Sequence, residues 1–408
     1  MSREIVARLM DEGHEVVILA NEGAEPNWGN TKEVPIGRGK MVKSIWIPPV
    51  NPPERAIALI NSYCGTQKLD LIIAHWDVFC LLPGWLKDVA VPILVYIPID
   101  SAMTERWAQF CEGARKVVLY SDYGYAEASK FLPASVLDCI FHGVDCSVFK
   151  PSTRSKAELR EEIAPVHTAD PVPRDDFLVT FTGANSSSRK NIPLLLRAFG
   201  KFHASHPDST LYLHSNIWGT GHHIPSIIKD LGLDDCVRYP KLNPILHPAE
   251  DEHFAKLYSA SDLYATASSG EGFGLPLIEA QSCGLPVLAP DNSSHTELVK
   301  GHGFLAECLD PDVYVDYPSY VPTSNFYTPP NMKSFVAQME FAYSEFKAGK
   351  EDSYRKAARK FAEKYGWPLI MQGWRRLLKE MEDDLEMRRT LKEDFMALSP
   401  KAEMTFFE

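Results

Sequence analysis

No two of the eight cysteines stand close enough to form a C-x-x-C pair, and no opening segment reads as a secretory leader. In a chain of 408 residues this points to reduced thiols in a cytoplasmic protein. It also leaves zinc only to ligands far apart in sequence. Long apolar runs are missing too. The longest, between residues 89 and 99, is interrupted by Pro92 and Pro98, well short of the ~20 residues a membrane-spanning helix needs. Positive charge is the third deficit: 42 Lys and Arg face 54 Asp and Glu, for a net charge of −12. Nucleic-acid binding needs a cationic surface that displaces counterions, so that class is excluded, while a local basic pocket stays compatible. The one dense histidine pair, in Gly221-His-His223, reads as a polar loop.

What is present is an alternation of short β-branched runs with helical patterns, the signature of βα units around parallel sheets. Ile5, Val6, Leu9 and Met10 recur at helical spacing, and Gly13 closes that helix. Strands are expected at 14–20, 44–47, 69–74, 93–97, 116–120 and 136–141. The stretches 21–43, 76–85 and 98–107 read as loops. Residues 145–176 form a connector broken by Pro165, Pro171 and Pro173. A second alternating series then opens with strands at 177–182, 210–214, 236–239, 263–267 and 286–289. The expected division is 1–150, 151–345 and 346–408. In the last part Ile370, Trp374, Leu377, Leu378 and Met381 make a docking face, and 382–408 reads as a frayed tail. Residues 310–330, rich in Pro, Tyr and Asp, read as an irregular insertion.

The most informative stretch is Ser268-Ser-Gly-Glu-Gly-Phe-Gly-Leu-Pro-Leu-Ile-Glu-Ala-Gln-Ser-Cys-Gly284. It follows a strand, so it belongs at the carboxyl end of a sheet, where open α/β sheets bind ligands. Gly270, Gly272 and Gly274 let backbone approach a ligand, and Pro276 suits the start of a helix whose exposed amides attract anions. Glu279 is expected in the first turn and Glu271 in the loop before it, both bordering one pocket. A second piece, Gly183-Ala-Asn-Ser-Ser-Ser-Arg-Lys-Asn191, also lies between strand and helix. Its Arg189 and Lys190 would reach the same sheet edge and can neutralise a diphosphate without a metal.

These residues resemble retaining glycosyltransferases of the GT-B fold, family-4 type (glycosyltransferase group 1). Glu271-x7-Glu279 within EGFGLPLIEAQSCGLPVLAPD carries the resemblance. HGVD at 142–145 with VFKP at 148–151, FTGANSSSRKNIPLLLRAF at 181–199 and DEGHEVVILA at 11–20 support it. The resemblance implies two facing Rossmann-like domains with a C-terminal helix returning toward the first, and a nucleotide-diphosphate-sugar donor held by the second. Glu271 would then bind sugar hydroxyls, and Gly183 and the amides of Gly272, Phe273, Gly274 and Leu275 sugar and diphosphate. Glu279 would hold the ribose, and Arg189 and Lys190 the phosphates. The diphosphate itself would accept the acceptor's proton, with no cofactor and no metal.

The sequence departs from the family in three places. It begins inside the first helix, so the leading strand in the middle of the first sheet is expected to be missing, through truncation or rearrangement. Asn185 stands where the family often has an arginine, with Arg189 as the replacement. Where many members have a histidine after the strand at 93–97, this chain has Asp100, a catalytic or turn-forming candidate, with His75 a weaker one. Asp310-Pro-Asp312 matches a D-x-D metal motif but sits in a Pro-rich loop, away from a strand end. The alternatives are a non-catalytic nucleotide-sugar-binding relative, an inactive fragment and, more distantly, an epimerase or phosphorylase. The acceptor, whether sugar, glycan, lipid or protein, is not coded; Trp28, Trp76, Trp85 and Trp107 suit stacking or packing. Peripheral membrane contact is neither indicated nor excluded.

Overall fold

A computed structural model describes residues 2–20, 31–46, 53–75, 84–167, 172–185, 188–217, 221–309, 315–316 and 326–398. The first half comprises α1 (Ser2–Asp11), β1 (Val17–Ala20), β2 (Thr31–Gly37), β3 (Lys40–Trp46), α2 (Pro53–Gln67), β4 (Ile72–His75), β5 (Ile93–Ile97), α3 (Glu105–Phe110), β6 (Lys116–Leu119), α4 (Asp122–Ala128) and β7 (Leu137–Cys139). Strands β4 to β7 are parallel neighbours in that order. β5 reads Ile-Leu-Val-Tyr-Ile and is buried at every position, as an unbroken apolar run covered on both faces should be. Its Leu94 and Tyr96 join a core with Ile5 and Leu9 of α1, and its Val95 and Ile97 join another with Trp107.

β1 pairs in parallel with β3, and β2 closes an antiparallel hairpin onto β3. This three-stranded sheet is separate from the four-stranded one, so β1 and β4 each keep one edge without a strand partner among the described residues. A loop over 21–43 is not what forms: 31–43 belongs to the hairpin, and 21–30 lies outside the described residues. Pro35 and Gly37 mask the strand pattern. β2 is an edge strand, where proline is tolerated, and its register shifts between those two residues. Arg38 and Gly39, with φ of 54° and 68°, make the primed turn that matches strand twist.

The second half runs α5 (Lys156–His167), β8 (Phe177–Thr182), α6 (Ile192–Ser205), β9 (Ser209–His214), α7 (Ile224–Asp230), β10 (Val237–Arg238), α8 (Asp251–Ala260), β11 (Leu263–Ala265), α9 (Leu275–Ser282), β12 (Val287–Pro290), α10 (Ser293–Val299), β13 (Phe304–Ala306), the short pair β14 (Val315–Asp316) and β15 (Phe326–Tyr327), α11 (Met332–Lys347), α12 (Glu351–Ala362) and α13 (Trp367–Leu398). One parallel sheet has the order β10-β9-β8-β11-β12-β13. From β8 the chain builds outward through β9 and β10, then returns to the other flank at β11. The order therefore reverses between β8 and β11, and ligands of open α/β sheets bind outside the carboxyl ends at such a point.

α13 returns to the first half. Ile370, Met371, Trp374, Leu377 and Met381 share a core with Leu94, Tyr96, Val118 and Ile140. Arg376 meets Asp138 at 2.7 Å and Lys116 meets Glu380 at 2.7 Å. The helix continues to Leu398, so 382–398 is not a frayed tail; 399–408 lies outside the described residues. Lys379 pairs with Glu382 and Asp383, and Asp384 with Arg115, which extends the helix beyond its apolar face. The junction motif His142-Gly-Val-Asp145 is pinned against the start of α13. The Val144 amide donates to Tyr365 O at 2.9 Å. At Gly143 a Cβ would come within 2.3 Å of the Trp367 ring, so no larger residue fits there. No described helix is long and apolar enough to cross a membrane.

Candidate functional site

The loops after β8 and β11 meet at the switch point and carry the charge. Arg189 and Lys190 end a single 3-10 turn (Ser188–Lys190) just before α6. Arg189 Nη1 donates to Glu271 Oε2 at 2.9 Å and also to Gly270 O, while Lys190 Nζ pairs with Glu271 Oε1. The Ser269 amide donates to Arg189 O at 2.8 Å, which ties the loops together. From the first half, Asp100 approaches Arg189 Nε at 3.4 Å and accepts from Tyr327 OH at 3.1 Å. Burial opposes ionisation of Glu271, but Arg189 and Lys190 outweigh it and hold the carboxyl far below the usual range. Burial likewise works against Arg189, which Glu271 and Asp100 overcome, and it pushes the Lys190 ammonium down. The result is a partly buried cluster of two carboxylates and two cations where the halves touch.

Glu279 faces a different compartment. It lies in the second turn of α9 (Leu275–Ser282), not the first, and lines a cavity of about 330 Å³ with Gly183, His214, Asn216, Ile245, Phe254 and Tyr258 among others. Glu271 does not line that cavity, so the two carboxylates border neighbouring spaces instead of one pocket. Tyr258 OH donates to Glu279 Oε2 at 3.3 Å. Burial, reinforced by the negative charge of Asp251, pushes the Glu279 carboxyl up to about 7. The cavity has apolar walls and a few convergent polar groups, the usual character of a small-molecule site.

Two of the glycines also admit a close neighbour from the first half. A Cβ on Gly270 would sit 2.0 Å from Asp100 O, and one on Gly272 would sit 2.3 Å from Pro98 Cβ. Here it is the first half's 98–100 loop that the backbone approaches. Gly274 is the N-cap of α9. The side chains of Phe273 and Leu275 pack into the core, Phe273 beside His142 and Tyr365, which leaves only their backbone for ligand contact. Asn185 is a loop staple: buried, it donates to Asn216 O (3.0 Å) and His222 O (2.7 Å) and accepts from the His222 amide. His75 joins an aromatic cluster with Tyr96, Tyr120 and His142 and not the charged cluster. Trp107 is a core residue. Trp28, Trp76 and Asp310-Pro-Asp312 lie outside the described residues. Among the described residues, no group of three His, Cys, Asp or Glu could hold a metal ion.

Tyr327 and His295 also belong to the charged compartment, and neither is singled out by sequence. His295 is fully buried within the electrostatic reach of Glu271, Lys190 and Arg189. The signal available was its place just after β12, on the same sheet edge as the two motif loops.

Residues 176–317 match the family described as Glycosyl transferases group 1. The D-inositol 3-phosphate glycosyltransferase of Corynebacterium kroppenstedtii is 31% identical over 182 residues, covering 41% of this chain and 37% of that protein. The Mycolicibacterium smegmatis enzyme of the same name is 31% identical over 159 residues, covering 38% and 32%. The chain thus spans about a third of the length of the curated relatives it matches. In three dimensions it resembles a glycosyltransferase from Rickettsia africae (TM-score 0.68, 17% identity, 93% of each chain). It also resembles Anabaena HepE in complex with UDP-glucose (TM-score 0.62, 17% identity, 83% of this chain and 86% of that one). The fold is the GT-B arrangement of those glycosyltransferases.

Proposed function

We propose, from the match of residues 176–317 to the Glycosyl transferases group 1 family, that the chain is a retaining, metal-independent glycosyltransferase of the family-4 type. It moves a sugar from a nucleotide-diphosphate donor to an acceptor held by the first half. One observation carries the reading: two cations within a charged cluster and an apolar cavity stand side by side at the switch point, the cations fit for a diphosphate and the cavity for a nucleoside. The nucleoside occupies the cavity, with Gly183 at its wall and Glu279 accepting the ribose hydroxyls. The diphosphate lies against Arg189, Lys190 and the amides of Gly272 to Leu275, and the sugar beside Glu271.

As the bond between the anomeric carbon and the β-phosphate oxygen breaks, negative charge collects on the departing diphosphate. Arg189 and Lys190 are preorganised to meet it, the arrangement that contributes most in sites of this kind. The acceptor oxygen bonds to the face being vacated, and its proton passes to the leaving phosphate oxygen. Configuration is retained and no protein base is required. Asp100, held by Tyr327, is the first half's catalytic candidate at the cleft. The free cysteines of the described residues suit a cytoplasmic site of action.

The test is release of nucleoside diphosphate from UDP-glucose, UDP-N-acetylglucosamine and GDP-mannose, with and without acceptors. The wild type should turn over and be insensitive to EDTA, and Glu271→Ala should fall to background. A protein that binds donor but never releases diphosphate is instead a nucleotide-sugar-binding relative. An inverted anomer by NMR would remove retention from the reading.

A further inference from the structure

His295 has a fixed tautomer and an unused lone pair. Asn292 Nδ2 donates to Ser269 O at 2.9 Å and to Thr328 O at 2.8 Å, which orients the amide and leaves Asn292 Oδ1 as an acceptor. That oxygen lies 2.9 Å from His295 Nδ1, so the ring's proton sits on Nδ1 and Nε2 is left as an acceptor. Nε2 is buried and has no hydrogen-bond partner among the described residues, and the residue is 0% exposed. An unmet buried acceptor is costly unless something in the working state satisfies it.

The surroundings indicate what does. The start of α10, which carries His295, grips the Gly-rich loop: the Glu271 amide donates to Ser293 Oγ at 3.0 Å, and Ser294 Oγ donates to Glu271 O at 2.9 Å and Phe273 O at 2.7 Å. Burial, then the nearby Lys190 and Arg189 charges against that of Glu271, bring the imidazole down to about 4. It therefore stays neutral at working pH. A neutral lone pair repels a phosphate oxygen, and both nearby cations already face Glu271. The matching ligand group is a hydroxyl that donates.

Resting on the functional reading above, we propose that His295 Nε2 accepts a hydrogen bond from one hydroxyl of the donor's sugar, next to Glu271, and so selects for a sugar that carries that hydroxyl. A site built this way rejects a donor lacking the group, because the acceptor is again left unmet.

The experiment measures binding of UDP and UDP-glucose, or of GDP and GDP-mannose should the wild type prefer them, to the full chain and to His295→Phe and His295→Gln. Phe should leave nucleoside-diphosphate affinity within twofold and weaken the nucleotide sugar by about tenfold. Gln, which presents an acceptor, should restore most of the loss. Among monodeoxy analogues of the sugar, one should bind the wild type about tenfold more weakly yet bind the Phe variant no worse than the parent sugar does. Equal weakening of diphosphate and nucleotide sugar overturns the proposal, as does a wild type indifferent to every deoxy analogue. Sensitivity of the wild type alone also follows from Glu271, so the variant's loss of that discrimination is the deciding result, and His295→Leu takes the place of Phe should Phe not fold. A wild type that binds no nucleotide at all overturns the functional reading itself, and this inference with it.

Discussion

Glu271 and Glu279 stand eight positions apart in one loop and helix, both largely shielded, and are driven in opposite directions. Glu271 is held ionised by Arg189 and Lys190, while Glu279, among apolar walls and facing the charge of Asp251, rises to about 7. Pairs of acids whose surroundings push them apart mark a division of labour. The compartments also differ in construction. Every residue lining the cavity comes from the second half, whereas the charged cluster draws Asp100 from the first. One compartment belongs to a single domain, and the other is completed only where the halves meet.

Lys190→Ala should separate the two most sharply. It removes charge from one compartment only, so kcat should drop by about 10²–10³ while affinity for the bare nucleoside falls much less, as steady-state kinetics beside calorimetry would show. Gly272→Ala comes next. Its Cβ would force the Gly-rich loop away from Pro98, a clash costing about 1–3 kcal/mol. Tm and turnover should fall while nucleoside binding survives; a variant that loses nucleoside binding first would break the comparison.

Glu279→Gln should have the smallest effect, about tenfold on nucleotide affinity, with kcat nearly unchanged. The pH dependence gives the sign. On the proposed function the carboxylate is the form that accepts the ribose hydroxyls, so wild-type affinity should be full above about 7 and decline as pH falls below it. Glu279→Gln should bind equally across that range. Because the folded-state pKa is raised, the unliganded fold gains from Glu279 at low pH and loses that gain as pH rises from the unfolded carboxyl value through about 7. Glu279→Gln should therefore melt slightly higher than the wild type at pH 8, a stability cost carried for binding.

Strands buried on both faces, such as β5 and β8, are legible because an unbroken apolar run admits few other placements. Arg189, Lys190 and Glu271 could be grouped from sequence because each follows a strand of one parallel sheet, and parallel topology delivers such loops to one edge. The hairpin of β2 and β3 was hidden by Pro35 and Gly37, which only an edge position excuses. The continuation of α13 past its apolar face draws in part on the ion pair from Asp384 to Arg115, far away in sequence, which no local pattern reports. His295 was invisible for a chemical reason: its importance lies in a tautomer set by Asn292, itself oriented by two carbonyls from other loops.

The chain crosses between its halves twice, once after Val144 and again before Trp367, and the crossings are joined by the Val144 to Gly366 bridge. Arg359 rivets the first crossing with bonds to Phe149 O at 2.9 Å and Ser282 O at 2.7 Å. Two straps laced side by side hold the halves at neighbouring points, so the seat of the 98–100 loop against Gly270 and Gly272 depends on both crossings together.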